Sequence, residues 1–131
     1  MGNRDITLDT HALLWYVDES LKGKLSPAAL EAIRAAEGEG IIYVPAIAFM
    51  EILHLVERKK SSISFGRLML SIEEGTNYRI IPIDGRLLRA AVPLKGLEIH
   101  DRLILATAVF TDSVLISKDR TIAAKGVNVL W

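Results

Sequence analysis

Short apolar runs rich in β-branched residues alternate along this chain with longer stretches whose apolar residues recur at helical spacing. Residues 6–8 predict a strand stopped at Asp9, and 10–16 (THALLWY) a helix. Ser26 followed by Pro27 has the form of an N-cap with proline at the first helical position, opening an alanine-rich helix that Gly38 and Gly40 close. The run 41–44 (IIYV) is apolar on both faces, the habit of a parallel strand covered by helices, and it ends at Pro45. After it, Ile47, Met50 and Leu53, with Phe49, Ile52 and Val56, predict a helix over 46–60, and a further helix spans 64–74. Residues 78–83 predict a third strand. Asp84-Gly85 opens a helix carrying Leu87, Leu88 and Ala91 that Pro93 ends, and 100–110 form a strongly apolar helix. Fourth and fifth strands follow at 114–117 and 127–130.

Strands alternating with helices, with no hairpin signal between neighbouring strands, predict an α/β fold with a central parallel sheet of about five strands flanked by helices. In such sheets ligands bind outside the carboxyl ends of the strands, where the strand order reverses. The 131 residues fit a single domain, 1–131, without repeat, linker or low-complexity segment.

Composition narrows the chemistry. Half of the residues are hydrophobic and 24% charged, which excludes wholesale disorder. With no cysteine there is no disulfide framework, thiolate zinc site or cysteine nucleophile. The apolar stretches are too short to cross a bilayer and the first residues lack the pattern of a signal peptide, so the expectation is a cytoplasmic protein with no membrane association. Sixteen basic residues balance sixteen acidic ones, so nucleic-acid binding would depend on local basic patches, a metal ion or a partner.

Several acids stand where acids are unusual. Asp9 is the only formally charged residue from Ile6 to Val17, and Glu51 the only one from Tyr43 to Val56. Asp101 opens DRLILATAVF, and Asp119 lies just beyond the fourth strand. Simpler roles exist for each: Asp9 as a helix cap, Asp101 as a charge favoured by the helix dipole, Glu51 paired with Arg58, Asp119 solvated, and Asp84 before Gly85 as a cap. Together they say more. In a parallel sheet Asp9, Asp84 and Asp119 emerge at one edge, which the starts of the helices bearing Glu51 and Asp101 also face. Clustered carboxylates raise one another's pKa unless a cation joins them, and an all-oxygen set suits Mg²⁺ or Mn²⁺. Such an ion serves phosphodiester hydrolysis.

LDTHALLW (8–15), Glu51-Ile52, HDRLILATA (100–108) and LISKD (115–119), in this order and spacing, resemble the PIN-domain nucleases, and within them the VapC-type toxins of toxin-antitoxin pairs. The resemblance spans almost the whole chain, including the closing Val129-Leu130-Trp131. It implies a PIN-like three-layer sandwich and a Mg²⁺- or Mn²⁺-dependent endoribonuclease acting on single-stranded RNA. Carried over by position, the metal and catalytic acids are Asp9, Glu51, Asp101 and Asp119. Thr10 and Ser117 match hydroxyl positions that orient ligands or water. Asp84 matches no family acid. Before Glu51, where relatives often carry serine and tryptophan, this chain has Pro45, Ala46, Ala48 and Met50. The resemblance also implies a homodimer and an antitoxin partner that delivers a basic residue to the acids.

Candidate phosphate contacts are Arg102, Lys118 and Arg120 beside the acids, and Arg58, Lys59 and Lys60 after the Glu51 helix; aromatic residues are few, so strong base stacking is not indicated. The apolar residues around Leu53, Val56, Phe65, Leu68, Met69 and Ile72 read as core. Two alternatives stay open. One is a PIN nuclease of RNA maturation or a non-cleaving binding module. The other is a Mg²⁺-binding phospho-receiver domain, which Asp84 and Lys118 invite, although Asp9 lacks the adjacent acid a receiver needs; a dehalogenase-type phosphatase would want an acid where His11 stands.

Overall fold

The computed structural model describes residues 4–125 and 128–131. Five strands, β1 (Ile6–Leu8), β2 (Ile42–Pro45), β3 (Tyr78–Ile81), β4 (Val114–Ile116) and β5 (Val129–Leu130), form one sheet in the order β3-β2-β1-β4-β5. Every pairing is parallel, with Ile6 opposite both Ile42 and Val114. The predicted parallel α/β sandwich is therefore the observed fold. Its strand order differs from the 2-1-3-4-5 order of receiver domains, which sets the phospho-receiver alternative aside.

Among the described residues seven α-helices connect the strands: α1 (Thr10–Val17), α2 (Pro27–Glu39), α3 (Ala46–Glu57), α4 (Phe65–Glu74), α5 (Gly85–Ala91), α6 (Ile99–Thr111) and α7 (Arg120–Ala123). Because successive strand residues face opposite sides, Leu8, Val44 and Ile116 pack with Leu13, Ile33, Ile52 and Ile72 on one face, and Leu115 packs with Leu105 and Ile122 on the other. Leu68, Ile72, Phe65 and Met69 belong to the first of these cores, as their spacing predicts.

Local chemistry sets the boundaries. Ser26, Ser64 and Asp84 each accept the N–H three residues ahead and start α2, α4 and α5. Gly38 lies inside α2, and Gly40 alone caps it. A side chain at Gly40 would place its Cβ 2.5 Å from the Arg4 carbonyl oxygen, so only glycine lets the chain turn into β2 there. Helix α3 stops at Glu57, short of the predicted residue 60, because Lys59 takes a left-handed conformation (φ 57°) just beyond the cap. The third and fourth strands are shorter than their apolar runs, ending at Ile81 and Ile116, and of the predicted 127–130 strand residue 127 lies outside the described residues.

The sheet leaves β1 toward β2 in one direction and toward β4 in the other. The crevice beyond the carboxyl ends of these two strands is the switch point of the fold. Among the described residues no helix is long and apolar enough to cross a membrane.

Candidate active site

A cleft of about 530 Å³ opens at that switch point, and its lining includes Asp9, Glu51, Asp101 and Asp119. The four acids arrive on different elements. Asp9 immediately follows β1, Glu51 lies in the second turn of α3 beyond β2, Asp101 lies in the first turn of α6, and Asp119 follows β4. Topology thus brings together residues that are separated by up to 110 positions, counted from 9 to 119. Asp84 does not line this cleft; its carboxylate caps α5 by accepting the Leu87 N–H at 3.1 Å.

Each acid is anchored differently. Asp9 Oδ1 accepts the Ala12 N–H at 2.8 Å, so it is the N-cap of α1 and a cleft residue at once. Asp119 Oδ1 accepts from Thr121 N (2.8 Å) and Ile122 N (3.3 Å) at the start of α7. Glu51 does not pair with Arg58; its Oε1 accepts the Thr10 hydroxyl at 2.5 Å, tying α3 to α1 across the cleft. The Ser117 Oγ accepts the Asp119 N–H at 3.1 Å and lies beside Asp9, bridging the ends of β1 and β4.

Burial raises the pKa of Asp9, against the pull of the Ser117 and Ala12 hydrogen bonds and of His11, with Asp119 adding repulsion. Asp101 is raised as well, first by burial and then by the negative charges of Asp119, Glu98, Glu51 and Asp9. None of the four acids is ion-paired: the ion pairs among the described residues, Arg4–Glu39, Lys22–Glu19 and His100–Glu98, include none of them. Arg102 lies apart from the cleft lining. Its Nε and a terminal nitrogen donate to the carbonyls of Ala91 and Val92, both at 2.9 Å, so it closes the free C-terminal end of α5 and does not line the acid cleft. Lys118 and Arg120 do line it.

An oxygen-only donor set with uncompensated negative charge fits a hard divalent cation. Among the described residues, no three His, Asp or Glu side chains are drawn together as a ready-made cage. Mg²⁺ needs no such cage, since it keeps several waters and is usually held through one or two carboxylates plus substrate phosphate.

The sequence reading missed His11 and Trp15 as cleft residues. Their signal was the spacing of four along α1, which puts both on one helical face. The rings of His11 and Trp15 stand 5.5 Å apart, and Trp131 meets Trp15 edge-on at 5.8 Å. Lys24 and Lys118 lie over the Trp15 ring at 5.6 and 5.9 Å. His11 and the two tryptophans thus form one ring cluster that reaches the acid cleft through His11 and Trp15, with Lys24 and Lys118 over Trp15.

Residues 6–128 match the family model of the PIN domain. The chain belongs to the PIN-domain family. PIN domains are generally nucleases that depend on divalent metal ions. Among solved structures, the fold is similar to VapBC2 from Rickettsia felis bound to a DNA fragment from its promoter (11% identity, TM-score 0.69, covering 96% of this chain and 97% of that one). It is also similar to FitAcB from Neisseria gonorrhoeae (20%, TM-score 0.64, 96% of each chain) and to a toxin-antitoxin complex from Klebsiella pneumoniae (21%, TM-score 0.61, 96% of each). A protein of Archaeoglobus fulgidus described only as uncharacterized is 39% identical over 41 residues, 31% of this chain and 67% of its own length.

Proposed function

We propose that this PIN domain is a Mg²⁺- or Mn²⁺-dependent endoribonuclease that hydrolyses single-stranded RNA. In the cell it acts as the toxin of a toxin-antitoxin pair, forms a homodimer and is restrained by its antitoxin. The observation that carries the reading is the meeting of Asp9, Glu51, Asp101 and Asp119 in one cleft with no basic side chain paired to them, in a chain of this family.

Asp9 and Asp101 are the residues that would hold the ion most directly, with Asp119 completing the site and Glu51 as ligand or base. A divalent ion held by these residues would supply Lewis-acid chemistry, activating water and offsetting negative charge on the phosphate. Thr10, donating to Glu51 Oε1, fixes that carboxylate and leaves Oε2 open to accept a proton from the attacking water. Ser117 steadies Asp9 in its charged form. Lys118 and Arg120 hold the phosphate as the water oxygen bonds to phosphorus and the bond to O3′ breaks. The products are a 5′-phosphate and a 3′-hydroxyl.

The toxin role is supported by the likeness to toxin-antitoxin structures and by the resemblance of the four motifs. Exposed apolar side chains on and around α5 and α6, Leu88, Val92 and Ile99, support self-association, and a monomer by light scattering at micromolar concentration would overturn it. The nuclease test is cleavage of a mixed single-stranded RNA pool with Mg²⁺, Mn²⁺ or EDTA, beside Asp9→Asn and Asp101→Asn. Metal-dependent cutting lost in both variants is the expected result. Cutting that survives EDTA, or ends carrying 2′,3′-cyclic phosphate, would refute the mechanism.

A further inference from the structure

The chain has three histidines, His11, His54 and His100, and all three line one pocket of about 420 Å³. This pocket is not the acid cleft, but it shares Thr10, His11 and Glu51 with it, so the two are continuous across the Thr10–Glu51 hydrogen bond. Resting on the nuclease reading above, we propose that this pocket is the subsite for a nucleobase of the substrate strand next to the scissile phosphate.

The lining matches a flat, uncharged group with polar edges. Among the described residues no lysine or arginine contributes to it, whereas the acid cleft has Lys118 and Arg120 for the phosphate. Ile47, Met50 and Leu55 supply apolar walls from α3, where residues three and four apart share a face with Glu51 and His54. Imidazoles give both a stacking surface and hydrogen-bonding nitrogens, the two means by which unstacked RNA bases are read. The His100 ring is already oriented by a neighbour. Its Nδ1 meets Glu98 Oε2 at 2.9 Å, and Glu98 is itself fixed by accepting the His100 N–H at 3.1 Å. With Nδ1 engaged by Glu98, Nε2 is the ring nitrogen left to meet a base edge. A strand whose phosphate sits in the acid cleft therefore finds, one pocket away, imidazole rings and apolar walls, with Thr10 and Glu51 at the shared edge.

The test reads the pocket separately from cleavage. With only three histidines, their ring signals in proton NMR are assigned by substitution, and the protein is titrated in EDTA with a short single-stranded RNA and with an abasic strand of the same length. The base-bearing strand is expected to shift His54 and His100, and the abasic strand to leave them near their free positions. Equal shifts with both strands, or none, would overturn the subsite. Shifts that follow protein concentration and not RNA would overturn it too, giving the pocket to a second copy of the chain. In the cleavage assay His54→Ala and Met50→Ala, both exposed and outside the acid cleft, are expected to keep cutting the pool while lowering the preference for one flanking nucleotide about tenfold. Cutting with unchanged preference would count against the subsite while leaving the nuclease reading standing. If the parent protein cuts nothing, the nuclease reading fails and the ring signals still decide whether the pocket takes a base.

Discussion

The two edges of the sheet handle polar groups in opposite ways. At the amino edge, polar groups have partners within the protein. Thr7 Oγ1 lies 2.6 Å from Ser113 Oγ, which lies 2.8 Å from Thr111 Oγ1, and Thr111 donates to the Thr107 carbonyl at 2.8 Å. Nearby, Asp5 accepts the Ile41 N–H at 2.8 Å. At the carboxyl edge, four carboxylates face one another with no basic partner, and two of them have raised pKa values. One edge is satisfied within the protein, while the other keeps carboxylates that no ion pair among the described residues neutralises. Residues that break the rule of local compensation in this way mark function more reliably than their type does.

The sharpest break of this comparison is chemical. Asp9→Asn keeps the cap on α1, since asparagine caps as well as aspartate, yet removes a carboxylate from the cleft. RNA cleavage is expected to fall by on the order of a hundredfold or more, and Asp101→Asn to do the same. Circular dichroism separates lost activity from lost folding. Variants that keep half of the parent rate would show that the cleft is not where the chemistry happens.

A second test asks what the carboxyl edge lacks. Mn²⁺ at about 100 times its dissociation constant stabilises a folded protein by roughly 2.7 kcal/mol if the unfolded chain does not bind it. The parent protein is expected to melt several degrees higher with Mn²⁺ than with EDTA, and Asp9→Asn and Asp101→Asn to lose most of that gain. A Mn²⁺ response equal in all three would place the ion elsewhere. At the amino edge the expectation inverts. Thr7→Val preserves shape but removes the hydroxyl next to Ser113, at a cost of about 1 kcal/mol. It should lower the melting temperature with or without metal and leave the cleavage rate unchanged.

How much of this was legible in the sequence follows from how far each signal reaches. Asp9 and Glu51 could be read because each is the one formal charge in an apolar segment, where burial makes a charge conspicuous, whereas Asp101 opens such a segment and Asp119, between Lys118 and Arg120, could be read only from its place after the fourth strand. Ser26, Ser64 and Asp84 could be read because an N-cap acts on an N–H only three residues away. Arg102 could not, since its partners Ala91 and Val92 lie across a turn whose geometry no local pattern encodes. Nor could the gathering of His11, His54 and His100, which sit more than forty positions apart and meet only because α1, α3 and α6 all reach the same edge. The stop of α3 at Glu57 depends on a left-handed Lys59, a conformation that lysine does not advertise.

The smallest effect is also the most specific to the repulsion. Burial and the charges of Asp119, Glu98, Glu51 and Asp9 raise the Asp101 pKa in the folded protein. The protonated form is thus favoured by folding. Its stabilising contribution is complete below the unfolded value of about 3.9 and is lost as pH rises through the higher folded value. Above both, the charge costs stability, and Asp101→Asn does not bear that cost. In EDTA at neutral pH the variant is therefore expected to melt slightly above the parent, with the gap closing as the pH falls below the unfolded value. Saturating Mn²⁺ should invert the order at neutral pH, because only the parent gains binding free energy. A gap that stays constant across the acid range would assign the effect of asparagine to packing or to the start of α6, and the unrelieved charge at the carboxyl edge would lose its energetic support.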